Sequence, residues 1–404
     1  MTPASRQDPL YGCAQSNMPP MWARARAGAT SATAARPIAI VPSRRTRDAE
    51  DVDIAWRLGP HLLELPLLAS AMDGVVSPQT AIGLGRLGGL AVLNLEGIWT
   101  RYEDADAELE RIATYDKAQA TREMQKIYAE PVKPELIAER IREIKDGGVL
   151  AAASLTPQRV REYWQIALDA GLDVLVIQGT VVSAEHVSTV VEPLNLKEFI
   201  ASIPVPVIVG GCASYQAALH LMRTGAAGVL VGVGPGAACT TRGVLGVGVP
   251  QATAIADAAA ARVQHLLETG QYVNVIADGG MRTGGDISKA IACGADAVMV
   301  GSPLARASEA PGRGYHWGMA TFHASLPRGA RVKTDQVGTL EEIVIGPANE
   351  NDGTLNLMGA LRTSMATTGY DTIQAFQKAE IMFAPALQTE GKKLQREQAI
   401  GMSR

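Results

Sequence analysis

Residues 228–255, Gly228-Val-Leu-Val-Gly-Val-Gly-Pro-Gly-Ala-Ala-Cys239-Thr-Thr-Arg-Gly-Val-Leu-Gly-Val-Gly-Val-Pro-Gln-Ala-Thr-Ala-Ile255, pass from a buried strand through a glycine-rich turn into a helix. The apolar run stops at Gly232, and Gly234-Pro235-Gly236 supplies a backbone free to take positive φ and expose its carbonyls. A cysteine follows at once. Cys239 stands before Thr240, Thr241 and Arg242, and glycines at 243, 246 and 248 loosen the chain again ahead of a helix expected over about 250–268. A cation beside a thiol favours the thiolate, the nucleophilic form. An isolated cysteine is more often a small core residue, so the loop around it carries the functional reading.

The same strand, loop and helix recur on both sides. Strands are expected near 66–69, 90–93, 149–153, 173–177, 205–209, 229–231, 273–277 and 296–300, each almost continuously apolar as in sheets covered on both faces. Helices are expected from Pro78 to Leu87, from about Pro157 and near 183–192, and Gly171, Gly225 and Gly294 each close a helix just before a strand. Eight such units predict an α/β fold of the (β/α)8 TIM-barrel type. A doubly wound sheet is disfavoured by the lack of an early GxGxxG. Residues 1–36, rich in Ala, Ser, Thr and Arg with Asp8 as the only acid, read as a flexible tail rather than a transit peptide. The barrel is expected over 37–385, with a charged helical excursion at 96–147, a flap at 311–370 and a polar tail at 386–404.

Composition narrows the partners. With 404 residues and 47% hydrophobic content the chain can bury a large core, and a net charge of -4 argues against a nucleic-acid surface. No apolar run reaches membrane-spanning length. Cysteines at 13, 212, 239 and 293 form no CxxC and no cluster with histidine, which suits a reducing cytoplasm and suggests neither disulfides nor zinc.

In a barrel of this type chemistry sits at the C-terminal strand ends. Those ends read Ser70-Ala-Met72-Asp73, Asn94, Ser154, Gln178-Gly179-Thr180, Gly210-Gly-Cys212, the Cys239 loop, Asp278-Gly279-Gly280 and Gly301-Ser302. The last two pairs, after strands seven and eight, form the usual phosphate position, where unobstructed N–H groups and a hydroxyl approach an anion. Asp278 is placed to accept hydrogen bonds from vicinal ribose hydroxyls.

The cysteine loop and these strand ends closely resemble the IMP dehydrogenase / GMP reductase family, over about 37–95 and 148–312. The resemblance implies Cys239 as nucleophile with Thr241 beside it; Ser70, Gly279, Gly280, Gly301, Ser302 and His316 around the phosphate; Asp278 at the ribose; and Met72, Gly318, Met319 and Gln336 near the base. It places NAD against Gln178, Gly179, Thr180, Cys212, Gly232 and Gly234, and a monovalent cation such as K+ on the carbonyls of Gly234, Gly236 and Cys239. Glu390-Gly391 is a weaker candidate for a cation contact across subunits. The implied activity is NAD-dependent oxidation of IMP to XMP in the cytoplasm, by a homo-oligomer of four or eight subunits. GMP reductase, which would use NADPH, and an inactive purine-nucleotide-binding regulator are the alternatives.

The sequence departs from the family in places. The 311–370 region has no Arg-Tyr pair, which leaves Arg328 as the candidate base for water; Gln178 stands where Asp is common, Cys212 where Asn is, and His316 where a phosphate-binding Tyr is usual. No acid follows Gly318-Met319-Ala320, where a GMP reductase carries glutamate. The roughly 50 residues at 96–147 are too few for a tandem CBS module, so the likeness is to the CBS-less members, and the run 352–370 fits them.

Overall fold

A computed structural model describes residues 38–189, 192–318 and 331–384, together with 395, 397 and 398. The tails expected at 1–36 and 386–404 therefore lie almost wholly outside the described residues.

Eight parallel strands close into a barrel in chain order. They are β1 (Leu67–Ala69), β2 (Leu90–Asn94), β3 (Ala152–Leu155), β4 (Val174–Gln178), β5 (Val207–Cys212), β6 (Gly228–Val231), β7 (Asn274–Asp278) and β8 (Ala297–Val300). All pairs are parallel, and β8 returns to β1 through Val298↔Leu67. The helices of the wall are α1 (Pro78–Arg86), α2 (Pro134–Asp146), α3 (Val160–Asp169), α4 (Leu196–Ser202), α5 (Tyr215–Met222), α6 (Gln251–Thr269), α7 (Gly284–Ala292) and α8 (Leu357–Thr367). Apart from Gln178 and Asp278, half-buried at the ends of β4 and β7, the side chains of every strand are buried, which is why the sequence shows runs and no alternation. Gly171, Gly225 and Gly294 take φ of +98°, +90° and +115° just past the ends of α3, α5 and α7, the left-handed turn in which only glycine escapes a steric penalty.

Three expectations are corrected. None of the described residues in 183–192 is helical; the helix forms later, at Leu196–Ser202, where Asn195 caps it by accepting from the Glu198 N–H (3.3 Å). The β-branched and hydroxyl residues before Pro193 favour extended chain, and proline disfavours helix in the residue before it. The 96–147 stretch is not wholly an excursion, because α2 buries Leu136, Ile137, Ile141 and Ile144 as the second wall helix. Within that stretch, the helices Ala105–Thr114 and Lys117–Ile127 are extra to the barrel. Similarly, the proposed 311–370 flap is too long: α8 buries Leu357, Met358, Leu361 and Met365 against α7 and supplies the eighth helix of the ring.

The added helices are tied to the barrel mouth. Tyr128, just after the second of them, donates to Asp73 Oδ2 (2.6 Å) and accepts from Trp317 Nε1 (2.7 Å). Arg331 donates to the carbonyls of Ile112 and Tyr115 and stacks on the Tyr315 ring at 4.0 Å. At the opposite end a hairpin, Trp56–Leu58 with His61–Leu63, sits under the strand starts, held by Asn274 Nδ2 donating to the Arg57 carbonyl (3.0 Å).

Candidate active site

The C-terminal strand ends open into a cavity of about 230 Å³. The loop after β6 enters it from one side. Gly232 has φ +156°, and a Cβ there would run into the Asp278 carbonyl, so glycine lets the β6 and β7 ends come together. Gln251, at the start of α6, closes the same gap by donating to the carbonyls of Val231 (2.6 Å) and Asp278 (3.3 Å). Sequence reasoning missed this residue, since glutamine at a helix start carries no distinctive signal.

Cys239 is exposed to the cavity, and its Sγ lies 3.1 Å from Thr241 Oγ1. The Cys239 N–H donates to the Gly236 carbonyl (3.0 Å), which folds Gly236 through Cys239 into one turn. Arg242 plays a different part from the one its position suggested. Its guanidinium donates to the carbonyls of Val233 (3.0 Å) and Val249 (2.5 Å), buttressing the loop from within.

Asp278 ends β7. Burial pushes its carboxyl up to about 7, a rise only partly offset by the hydrogen bond from Gln178 Nε2 (3.2 Å). The following Gly279 and Gly280 have φ of +79° and +81°, and both line the cavity. Next to them, Gly301-Ser302 leads into a short 3-10 turn, Leu304–Arg306, which is the barrel arrangement suited to phosphate. Ser302 Oγ is 2.8 Å from His316 Nε2. His316 is only 1% exposed, and burial lowers its pKa to about 4, so it is a neutral imidazole at neutral pH. Its Nδ1 is buried without a hydrogen-bond partner among the described residues. No lysine or arginine lines the cavity among the described residues, so an anion there would meet hydroxyl, imidazole and backbone dipoles.

Most sequence-identified residues meet here. Ser70, Met72, Gln178, Gly179, Thr180, Gly232, Gly234, Gly236, Cys239, Thr241, Asp278, Gly279, Gly280, Gly301, Ser302, His316 and Gly318 all border this one cavity. Two do not. Cys212 is 1% exposed, its thiol donating to the Leu230 carbonyl (3.5 Å), and burial pushes it up to about 12; it is a packed neutral thiol with no place on the cavity wall. Gln336 is exposed and does not line the cavity. Met319, Arg328, Glu390 and Gly391 lie outside the described residues. Asn94, Glu96, Ser154 and Thr156 also border the cavity; strand-end position alone brought Asn94 and Ser154 to notice, with no role attached.

A sequence profile of the IMP dehydrogenase / GMP reductase domain matches residues 36–392. The chain belongs to the IMP dehydrogenase / GMP reductase family. A protein of Mycolicibacterium smegmatis called an uncharacterized oxidoreductase is 47% identical over 350 residues, 84% of this chain and 93% of that one. The inosine-5'-monophosphate dehydrogenase of Haemophilus influenzae is 36% identical over 280 residues, 62% of this chain and 52% of its own. Among solved structures, an IMP dehydrogenase/GMP reductase-like protein from Corynebacterium glutamicum superposes with a TM-score of 0.81 at 46% identity, covering 86% of this chain and 92% of that one. That neighbour shares the (β/α)8 barrel. The family is one of oxidoreductases, and no described helix of this member is long and apolar enough to cross a membrane.

Proposed function

We propose that the chain oxidises IMP to XMP with NAD+. The observation that carries this reading is the convergence, in one cavity, of an exposed Cys239 thiol beside a hydroxyl, a carboxyl at Asp278 and a glycine-lined anion corner with Ser302. Phosphate is held by the Gly279-Gly280 and Gly301-Ser302 backbones with the Ser70 and Ser302 hydroxyls, while His316 fixes Ser302. Asp278 accepts from the ribose hydroxyls and so anchors the purine over the sulfur. Cys239 adds through sulfur to purine C2 as the C2–N3 π bond breaks, its electron pair and the thiol proton passing to N3 with Thr241 as relay; that proton leaves to solvent when C2 loses its hydride. NAD+, when bound, accepts the C2 hydride with its two electrons. A thioimidate on Cys239 remains; water then adds at C2, the carbon–sulfur bond breaks, and XMP leaves as the thiol is restored. Arg328 is the proposed base for that water.

The rest of the cavity wall fits the dinucleotide. It is polar, with Asn94, Ser154, Thr156, Gln178 and Thr180, and the Asn94 Nδ2 donor is buried with no acceptor among the described residues. A monovalent cation, K+ in this reading, suits the backbone oxygens of Gly234, Gly236 and Cys239, since carbonyl dipoles replace its hydration shell. A homo-oligomer of four or eight subunits accompanies the proposal. Reduction of GMP is disfavoured because the acids at the cavity, Asp278 and Glu96, are engaged elsewhere: Glu96 Oε1 accepts from the Thr156 N–H (2.6 Å). Protein incubated with IMP and NAD+, and separately with GMP and NADPH, should raise the reduced-nicotinamide absorbance in the first cuvette and leave the second flat. A fall in the second alone would assign the reductase, and silence in both would leave a nucleotide-binding protein without this chemistry.

A further inference from the structure

β2 lies four strands from β6 around the eight-membered ring, so the ends of β2 and β3 face the Cys239 loop across the mouth. Asn94 closes β2 and is 7% exposed. Its Oδ1 accepts from the Glu96 N–H (3.0 Å). A backbone N–H can only donate, so this bond fixes which end of the amide is which and leaves Nδ2 as a buried donor, with no acceptor among the described residues, on a residue that borders the cavity. An orphaned buried donor is costly in a protein interior, which makes Asn94 a place that awaits an acceptor from a ligand.

The neighbour completes the pattern. Ser154 is paired in register with Asn94, so both side chains project from the same level of the same face. Glu96 ties the two strand ends together: its N–H donates to Asn94, its carboxylate accepts from the Thr156 N–H (2.6 Å) just beyond Ser154, and its carbonyl accepts from Arg101 Nε (3.2 Å) and Nη2 (3.0 Å). A fixed amide donor beside a hydroxyl that can accept is complementary to a primary carboxamide, whose oxygen accepts and whose NH2 donates.

We propose that Asn94 and Ser154 together bind the carboxamide of the nicotinamide ring, Asn94 Nδ2 donating to its oxygen and Ser154 Oγ accepting from its nitrogen. This assignment rests on the NAD reading of the cavity, and it makes the β2–β3 corner the residue pair that orients the hydride acceptor over the purine. Neither residue touches the phosphate corner, so nucleotide binding is independent of them.

The test is a binding titration on Cys239→Ala protein saturated with IMP, followed by intrinsic fluorescence or calorimetry. NAD+ is compared with its 3-acetylpyridine analogue, which keeps the carbonyl and lacks the NH2. Asn94→Ala should raise the Kd of both ligands by roughly tenfold, the loss of one buried hydrogen bond. Ser154→Ala should weaken NAD+ severalfold and leave the analogue unchanged. Asn94→Asp, which keeps the bond to the Glu96 N–H, should lose the dinucleotide as Asn94→Ala does while the Kd for IMP stays within about twofold. Equal effects of Ser154→Ala on both ligands, or NAD+ binding indifferent to Asn94→Ala, would overturn the assignment while leaving the NAD reading intact. If the unaltered protein bound no nicotinamide dinucleotide at all, the function itself would fall.

Discussion

Asp278 offers a quantitative test through pH. In the free protein its carboxyl titrates at about 7, because burial opposes the charge. Ribose hydroxyls donate, so they favour the carboxylate, and nucleotide binding has to draw on the ionised fraction. That fraction is roughly one in eleven at pH 6 and ten in eleven at pH 8, and apparent affinity scales with the competent fraction. Affinity should therefore rise about tenfold from pH 6 to pH 8 on account of this group alone. The phosphate of IMP also ionises near pH 6, so the readout is the ratio of wild type to Asp278→Asn, in which the phosphate effect cancels. His316 contributes nothing over this range, since burial keeps it neutral above about pH 4. Calorimetry in buffers of different ionisation enthalpy should show close to one more proton released per IMP bound by the wild type than by Asp278→Asn at pH 6, and almost no difference at pH 8. A wild-type pH profile parallel to that of Asp278→Asn would refute the placement of ribose on Asp278. The same shift acts on folding: because the folded carboxyl titrates above its unfolded value near 3.9, the empty protein loses stability as pH rises from about 4 to 7.

Two further outcomes follow from the geometry. Cys239→Ala should abolish turnover and leave the Kd for IMP within about twofold, because the sugar and phosphate contacts lie on other loops; equilibrium titration and an absorbance assay check both halves. Arg262→Ala should cost about 3–5 kcal/mol in urea unfolding, since Arg262 Nη1 meets Asp296 Oδ2 at 2.6 Å with Asp296 only 2% exposed. The KM for IMP should be unmoved, because Asp296 precedes β8 whereas Gly301-Ser302 follows it.

The barrel was legible because a strand covered on both faces must be a short apolar run, and glycine C-caps mark where each helix hands over to the next strand. The sequence signal failed where side chains decide between local alternatives. Residues 183–192 hold no glycine or proline, but their β-branched and hydroxyl residues weaken a helix there and Asn195 wins the cap further on. Leu357–Thr367 falls inside the flap expected at 311–370, although its Leu357, Leu361 and Met365 stripe serves to close the ring. At the site, residue type and strand-end position identified Cys239, Asp278 and Ser302, but position alone misled at Cys212, which turns inward to the Leu230 carbonyl. Arg242 shows the same limit, since neighbourhood in sequence says nothing of which carbonyls a guanidinium will reach. The Asn94–Ser154 pair needed register, which only the closed sheet provides.

The most direct test of the nucleophile is to quench the protein during turnover with IMP and NAD+ and map covalent adducts by peptide mass spectrometry. A purine nucleotide attached at Cys239, formed only when both substrates are present and absent from Cys239→Ala, is the predicted result. Steady production of XMP with Cys239 unmodified throughout, or an adduct at Cys212 or Cys293 in its place, would contradict it.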